Sequence, residues 1–331
     1  MRRLDQISFC RFHSLLSTVP LQAVTQLGHY GNLRANERSQ SASAGFNEFK
    51  GGQPMIQSKI EVVADALAEA YRNGGTVAEL DEALLPTNWQ EAFQVQDALD
   101  ERLGFELTGW KIGATSRAGM QDFDLDHPAF FGREYRNFTQ HSPARFRMAD
   151  FRHAPMIEGE FAFRLGRDLP PREQAYSEAE VRDAITDVVM TIDAVDTRWS
   201  THPFELNSFL GNADNANAGV YVIGDVLSGW QALDLATLSV EVYVNGKHVQ
   251  ETTLRGRPID SLNYPRDNRC SFDELISALQ WGANDLSQRG LGFRAGQVVT
   301  TGSPHVPVEA TAGSEIVIRY GDAGEISAMF E

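Results

Sequence analysis

Clustered basic charge is what this 331-residue chain most lacks. It carries 29 Lys and Arg against 45 Asp and Glu, a net charge of −16. A nucleic-acid surface needs a basic stripe, so the composition argues against that partner. No run approaches about 18 consecutive apolar residues, so no membrane-spanning helix is expected. The only cysteines are Cys10 and Cys270. They are too few for a disulfide framework and suit a reducing, cytoplasmic setting. There is no Gly-x-Gly-x-x-Gly and no P-loop, which argues against a nucleotide. No internal repeat is visible. What is there, 42% hydrophobic and 22% charged, suits a globular chain with a sizeable core.

The first 54 residues differ from the rest. They hold six basic and three acidic residues, while the remainder carries a net charge of −19. From Arg34 to Pro54 the stretch is rich in Ser, Asn, Gln and Gly, with little to bury. It reads as a disordered extension, a targeting presequence, or an upstream start with Met55 as the true one. A good helix begins just after Met55, which favours the last of these.

Ser58 to Asn73 has apolar residues at helical spacing, a Ser cap and a Gly-Gly stop. A second helix is predicted over Asn88–Leu103, with Gly104 as its stop. From Leu107 onward the pattern turns to strands. Leu107–Ala114, Gly219–Gly224, Leu238–Val244, Lys247–Thr253, Gln297–Thr301, Glu315–Tyr320 and Glu325–Phe330 read as strands, and Asn245-Gly246 reads as a hairpin turn. Helices are expected near Ser177–Ile185 and over Phe272–Arg289. The expectation is an α+β fold: a helical N-terminal part over 55–106, then a mixed β-sheet roll or barrel over 107–331.

Two acidic segments carry the chemistry. One reads Pro155-Met-Ile-Glu158-Gly-Glu160-Phe-Ala-Phe-Arg-Leu165, the other Val188-Val-Met-Thr-Ile-Asp193-Ala-Val-Asp196-Thr-Arg-Trp199. In a strand, residues i and i+2 share a face, so Glu158 and Glu160 lie opposite Ile157, Phe161, Phe163 and Leu165. Carboxylates among apolar strands are costly unless something holds them. A hard divalent cation, Mg²⁺ or Mn²⁺, is the economical reason for them. The bland alternative is a solvated acidic face, or pairing with basic groups such as Arg164 with Glu160. Asp196 and Arg198 read as a structural ion pair.

Lys111 sits in the apolar strand Trp110-Lys111-Ile112. It is either an edge residue reaching water or a functional ammonium that holds an anion or moves a proton, burial lowering its pKa. The turn Thr301-Gly302-Ser303 can cradle a carboxylate or be an ordinary turn. His305 reads as a polar loop residue. Gly211–Gly219 is a polar, small-residue loop of the kind that lines sites or simply makes turns.

Together these segments resemble the 2-keto-4-pentenoate hydratase and 4-oxalocrotonate decarboxylase family, in the fumarylacetoacetate hydrolase superfamily. The resemblance spans roughly Ile60 to Phe330. It rests on Gly109-Trp-Lys-Ile-Gly-Ala-Thr-Ser116, Glu158-Gly-Glu160-Phe-Ala-Phe163, Ile192-Asp-Ala-Val-Asp-Thr-Arg198, Ala213-Asp-Asn-Ala-Asn-Ala-Gly219 and Thr300-Thr-Gly302. It implies a metal-dependent lyase of aromatic-compound catabolism, working as a homo-oligomer on a small 2-oxo or 2-hydroxydienoic acid. By that resemblance Glu158, Glu160 and Asp193 hold Mg²⁺ or Mn²⁺, and Lys111 and Glu158 are catalytic. Lys111, Asn217, Thr301, Gly302 and Ser303 bind substrate. The chain departs from the family at Pro128-Ala-Phe-Phe-Gly132, where an acidic residue is usual, at Asn217 in place of a serine, and at Tyr264–Cys270. The expected reaction is hydration of a 2-hydroxy-2,4-dienoate to a 4-hydroxy-2-oxo acid. Decarboxylation of an oxalocrotonate-type diacid and hydrolysis of an acylpyruvate rank next. A non-catalytic, metal-stabilised accessory subunit is the competing class.

Overall fold

Two helices open the computed structural model, which describes residues 57–77, 79–254 and 271–331. The 1–54 extension and the Tyr264–Cys270 departure lie outside these residues. Helix α1 (Gln57–Asn73) buries Ile60, Val63, Ala64, Leu67, Ala68 and Tyr71, the stripe its apolar spacing predicts. Helix α2 (Trp89–Leu103) starts where the Asn88 side chain accepts from Glu91 N, and stops at Gly104 in a left-handed conformation. The two helices share a core with Tyr135, Trp199 and Ala213.

The rest is mostly strand. The first sheet uses β1 (Leu107–Gly113), β2 (Phe130–Tyr135), β3 (Thr139–His141), β5 (Met156–Leu165), β6 (Ile185–Val195), β7 (Val220–Val226), β10 (Val298–Thr300) and β11 (Val308–Glu309). Its order is β2-β1-β10-β5-β6-β7-β3, with β11 beside β5. The β1–β10 and β3–β7 pairs are parallel and the others antiparallel, so the sheet is mixed. The second sheet runs β4 (Ala144–Phe146), β13 (Glu325–Phe330), β12 (Ser314–Tyr320), β8 (Val240–Val244), β9 (Lys247–Thr252). Asn245-Gly246 joins β8 to β9 with positive φ at both residues, as a tight hairpin of this hand requires.

Short helices α3 (Arg117–Asp122), α4 (Glu178–Arg182) and α5 (Ser208–Ala213) fill connections, and α6 (Phe272–Gln288) is long and amphipathic. α4 is shorter than predicted, because Ile185 already pairs with Leu165 as the first residue of β6. Ser177 and Ser271 each close a capping box, with Glu180 and Glu274. The main core lies between the two sheets and α6. Phe161, Phe163, Met190 and Ile192 meet Ile316, Ile318, Tyr320, Leu279 and Phe330 there.

That core uses only one face of the first sheet. Strand alternation sends Ala162, Val189, Tyr221, Ile223 and Val298 to the other face, as a small separate cluster. The polar residues between them make the site.

Candidate metal and substrate site

Register brings the acids together. β5 pairs with β6 so that Glu158 faces Asp193 and Glu160 faces Thr191. Cross-strand partners and i, i+2 neighbours share a face, so all three acids converge. One ligand oxygen from each of Glu158, Glu160 and Asp193 lies within 4.8 Å of the other two. Asp193 and Glu160 are 1% and 2% exposed, whereas Glu158 remains partly open. The open side of the group is therefore at Glu158.

Lys111 reaches the same place from β1, where its ammonium forms a buried ion pair with Asp193. Between β1 and β6 lie β10 and β5. In a flat sheet those strands would stand about 14 Å apart, beyond the joint reach of the two side chains. The contact requires a curled sheet, with this face concave. Burial works against the Lys111 charge, but Asp193, Glu134 and Glu158 more than offset it and raise its pKa. The lowered pKa expected from burial alone is thus reversed by three neighbouring carboxylates.

Burial comes first, then Asp193, in pushing Glu158 up to about 7, with Lys111 opposing. Glu160 lies well above the usual carboxylate range for the same leading causes, with Glu158 adding to them. Asp193 Oδ1 is buried without a hydrogen-bond partner among the described residues. Crowded carboxylates that raise one another's pKa form a site short of positive charge. Their hard oxygens, with no sulfur or imidazole in the set, fit a hard divalent cation.

The Thr301-Gly302-Ser303 turn stands beside Glu160. Gly302 N–H donates to Glu160 Oε2 at 3.3 Å. The Thr301 hydroxyl is committed to Phe161 O, and the Ser303 hydroxyl to His305 O. Of the three residues, only Gly302 directs a group at the acids. His305 has a defined structural task. Its Nε2 accepts from Gly159 N at 2.8 Å, between the two glutamates, so Nδ1 carries the proton and donates to Val306 O. Burial lowers its pKa to about 4.

The 215–217 loop packs on β2. Asn215 Oδ1 accepts from Arg133 N and its Nδ2 donates to Arg133 O, both at 2.7 Å. Asn215, Ala216 and Asn217 all have φ near +55°, a strained run for non-glycine residues that this clamp holds. A Cβ on Gly132, the register partner of Lys111, would come within 2.5 Å of Asn215 O. Asn217 turns instead toward Gly211, and its Oδ1 is buried without a partner among the described residues.

Two local pairings differ from those considered in the sequence. Arg164 pairs with Asp187, not Glu160. Arg198 pairs with Asp214, not Asp196. Asp196 accepts from Arg152 N and His153 N instead.

One site residue escaped the sequence reading. Glu134 on β2 lies opposite Gly109 and shares the concave face with Lys111. It is 3% exposed, and burial and Asp193 raise its pKa well above the carboxylate range, against Lys111 and Arg198.

Residues 114–330 match the fumarylacetoacetate (FAA) hydrolase C-terminal family. The chain belongs to that family. Among curated relatives, a 2-keto-4-pentenoate hydratase of Paraburkholderia xenovorans is 26% identical over 280 residues, covering 84% of this chain and 97% of the relative. A 4-oxalocrotonate decarboxylase of Pseudomonas putida is 28% identical over 231 residues, covering 70% of this chain and 80% of the relative. The solved structure of 4-oxalocrotonate decarboxylase from Pseudomonas putida G7, complexed with magnesium and adipate, superposes with a TM-score of 0.68 at 23% identity. It covers 85% of this chain and all of that one. The FAA hydrolase C-terminal fold, with a helical part before a curled mixed sheet, is as the sequence predicts. No helix among the described residues is long and apolar enough to cross a membrane.

Proposed function

We propose that this chain is a metal-dependent hydro-lyase that converts 2-hydroxy-2,4-dienoates of the 2-oxopent-4-enoate type to 4-hydroxy-2-oxo acids. The observation that carries it is the convergence of Glu158, Glu160, Asp193 and Lys111 on one concave face. Relatives named as hydratases of such acids, aligned over most of both chains, support it. Glu158, Glu160 and Asp193 would hold Mg²⁺ or Mn²⁺. A cation bound there supplies Lewis-acid chemistry, stabilising negative charge that develops on a 2-oxo oxygen.

The chain's own residues do the rest. Lys111, held cationic by its carboxylate neighbours, attracts and orients the anionic acid. Gly302 fixes Glu160 through its N–H. Glu158, the most open of the acids, faces the side from which substrate and water arrive. The curled sheet excludes bulk solvent from the other two, which strengthens every charge interaction within.

The test is loss of dienol absorbance from 2-hydroxypenta-2,4-dienoate with Mg²⁺, with Mn²⁺ and with EDTA. Metal-dependent formation of 4-hydroxy-2-oxopentanoate is expected, and Glu158→Ala should abolish both turnover and cation binding. The decarboxylase relative favours a second reading, loss of CO₂ from an oxalocrotonate-type diacid. Release of CO₂ from 2-oxohex-3-enedioate, with no reaction of the dienol, would put that reading first.

A further inference from the structure

Glu134 has the surroundings of a working group. Antiparallel register sets it opposite Gly109. Its diagonal neighbour on that face is Lys111, whose own register partner is Gly132. A Cβ at Gly109 would meet Val298 O at 2.1 Å and one at Gly132 would meet Asn215 O at 2.5 Å, so the two glycines let backbone close over the face beside Glu134. The side chain is almost wholly buried, and its Oε1 has no hydrogen-bond partner among the described residues. The nearby guanidinium of Arg198 is committed to Asp214 and to Ala218 O. Glu134 also stands outside the three acids whose oxygens converge. A buried carboxyl with an unmet oxygen costs stability, so it marks a place where structure is given up for another end. The segment Pro128-Ala-Phe-Phe-Gly132, which leads into the same strand, contains no acid.

We propose that Glu134 is the proton-transferring catalytic residue of this site. The proposal rests on the reading of the site as one that handles 2-hydroxy-2,4-dienoates. In the ketonisation step the carboxyl O–H breaks as a C–H bond forms at C5 of the dienol. The carboxylate then takes the enol hydroxyl proton as the C2 carbonyl forms. One proton leaves oxygen and one joins carbon, so the carboxyl is regenerated without any further reactant. Water addition follows the same exchange, the carboxyl giving its proton to C3 as water oxygen bonds to C4, and the resulting carboxylate taking the proton that the water releases.

The full-length protein with Mg²⁺ is compared with Glu134→Gln and Glu134→Leu in three measurements. In dienol turnover, kcat should fall roughly 10²- to 10⁴-fold in both variants while Mg²⁺ affinity, titrated with the metal alone, stays within a few-fold. In deuterium exchange, the C3 protons of 2-oxobutanoate in D₂O should exchange with the parent and not with the variants. In thermal melts without substrate, Glu134→Leu should melt at or above the parent, because it removes an unmet buried carboxyl. Unchanged kcat or exchange in Glu134→Gln overturns the proposal. So does a lower melting temperature for both variants, which marks a structural carboxyl. If the parent exchanges C3 protons and leaves the dienol unhydrated, hydration fails as the reaction while Glu134 keeps its role. A parent that exchanges nothing and turns nothing over overturns both.

Discussion

The Lys111 ammonium on β1 and the Asp193 carboxylate on β6 meet across two intervening strands, both buried. Breaking one side of such a pair leaves an unpaired buried charge, at a cost of about 3–5 kcal/mol. Lys111→Met should therefore lose about that much stability in EDTA. Added Mg²⁺ should recover most of it, because a cation at the three acids replaces the missing charge. Melting curves with and without metal decide the matter. An equal melting temperature for parent and variant in EDTA would show that Asp193 is not held by Lys111.

Stability should depend on pH through His305. Its folded pKa of about 4 lies below its ordinary 6.5, since burial disfavours the charged ring. The unfolded chain therefore takes up the proton first as pH falls. The contribution of the neutral ring is complete above about 6.5, declines as pH drops toward 4, and is flat below that. The ceiling is about 3 kcal/mol. Urea unfolding at pH 7 and pH 5 should show a larger loss for the parent than for His305→Gln. An identical loss in both would assign the pH dependence to other groups.

Gly132→Ala places a methyl within 2.5 Å of Asn215 O and 2.9 Å of Ala216 Cβ. Backbone cannot yield as a flexible side chain can, so the 215–217 loop must shift. A loss of about 1–3 kcal/mol is expected. KM should rise as well, since Gly132 borders Lys111. Unchanged melting and kinetics would mean that the loop has slack the packing does not suggest.

The longer strands other than β2, and all three long helices, were legible from their apolar spacing and turn signals, whereas β2, β3, β4 and β11 were not read. The alternation around Glu158-Gly-Glu160 and the stripe from Ile60 to Tyr71 both point inward as read. The three converging acids were legible because charge inside an apolar strand stands out. Glu134 was not, because Arg133-Glu134 looks like an ordinary solvated pair. It takes the tertiary fold to see that α2 covers Arg133 with Asp97 and Asp100, while the curl of the sheet covers Glu134. Arg198 was misread for a related reason: Asp196 stands two residues away, but the partner is Asp214, just as Arg164 takes Asp187 and not Glu160, four residues away. The task of His305 depends on an N–H 146 residues distant, which local sequence does not announce.

The curl of the first sheet also divides the site by origin. Glu158, Glu160 and Asp193 come from one adjacent strand pair, whereas Lys111, Glu134 and Gly302 come from β1, β2 and the turn after β10. On the proposed function, the residues that would hold a cation and those that would hold the organic acid thus sit on separate stretches of chain. Variation in β1, β2 and the 215–217 loop can retune which acid is accepted without disturbing the acids of the β5–β6 pair. One scaffold could diversify its chemistry in that way while its inorganic half stays constant.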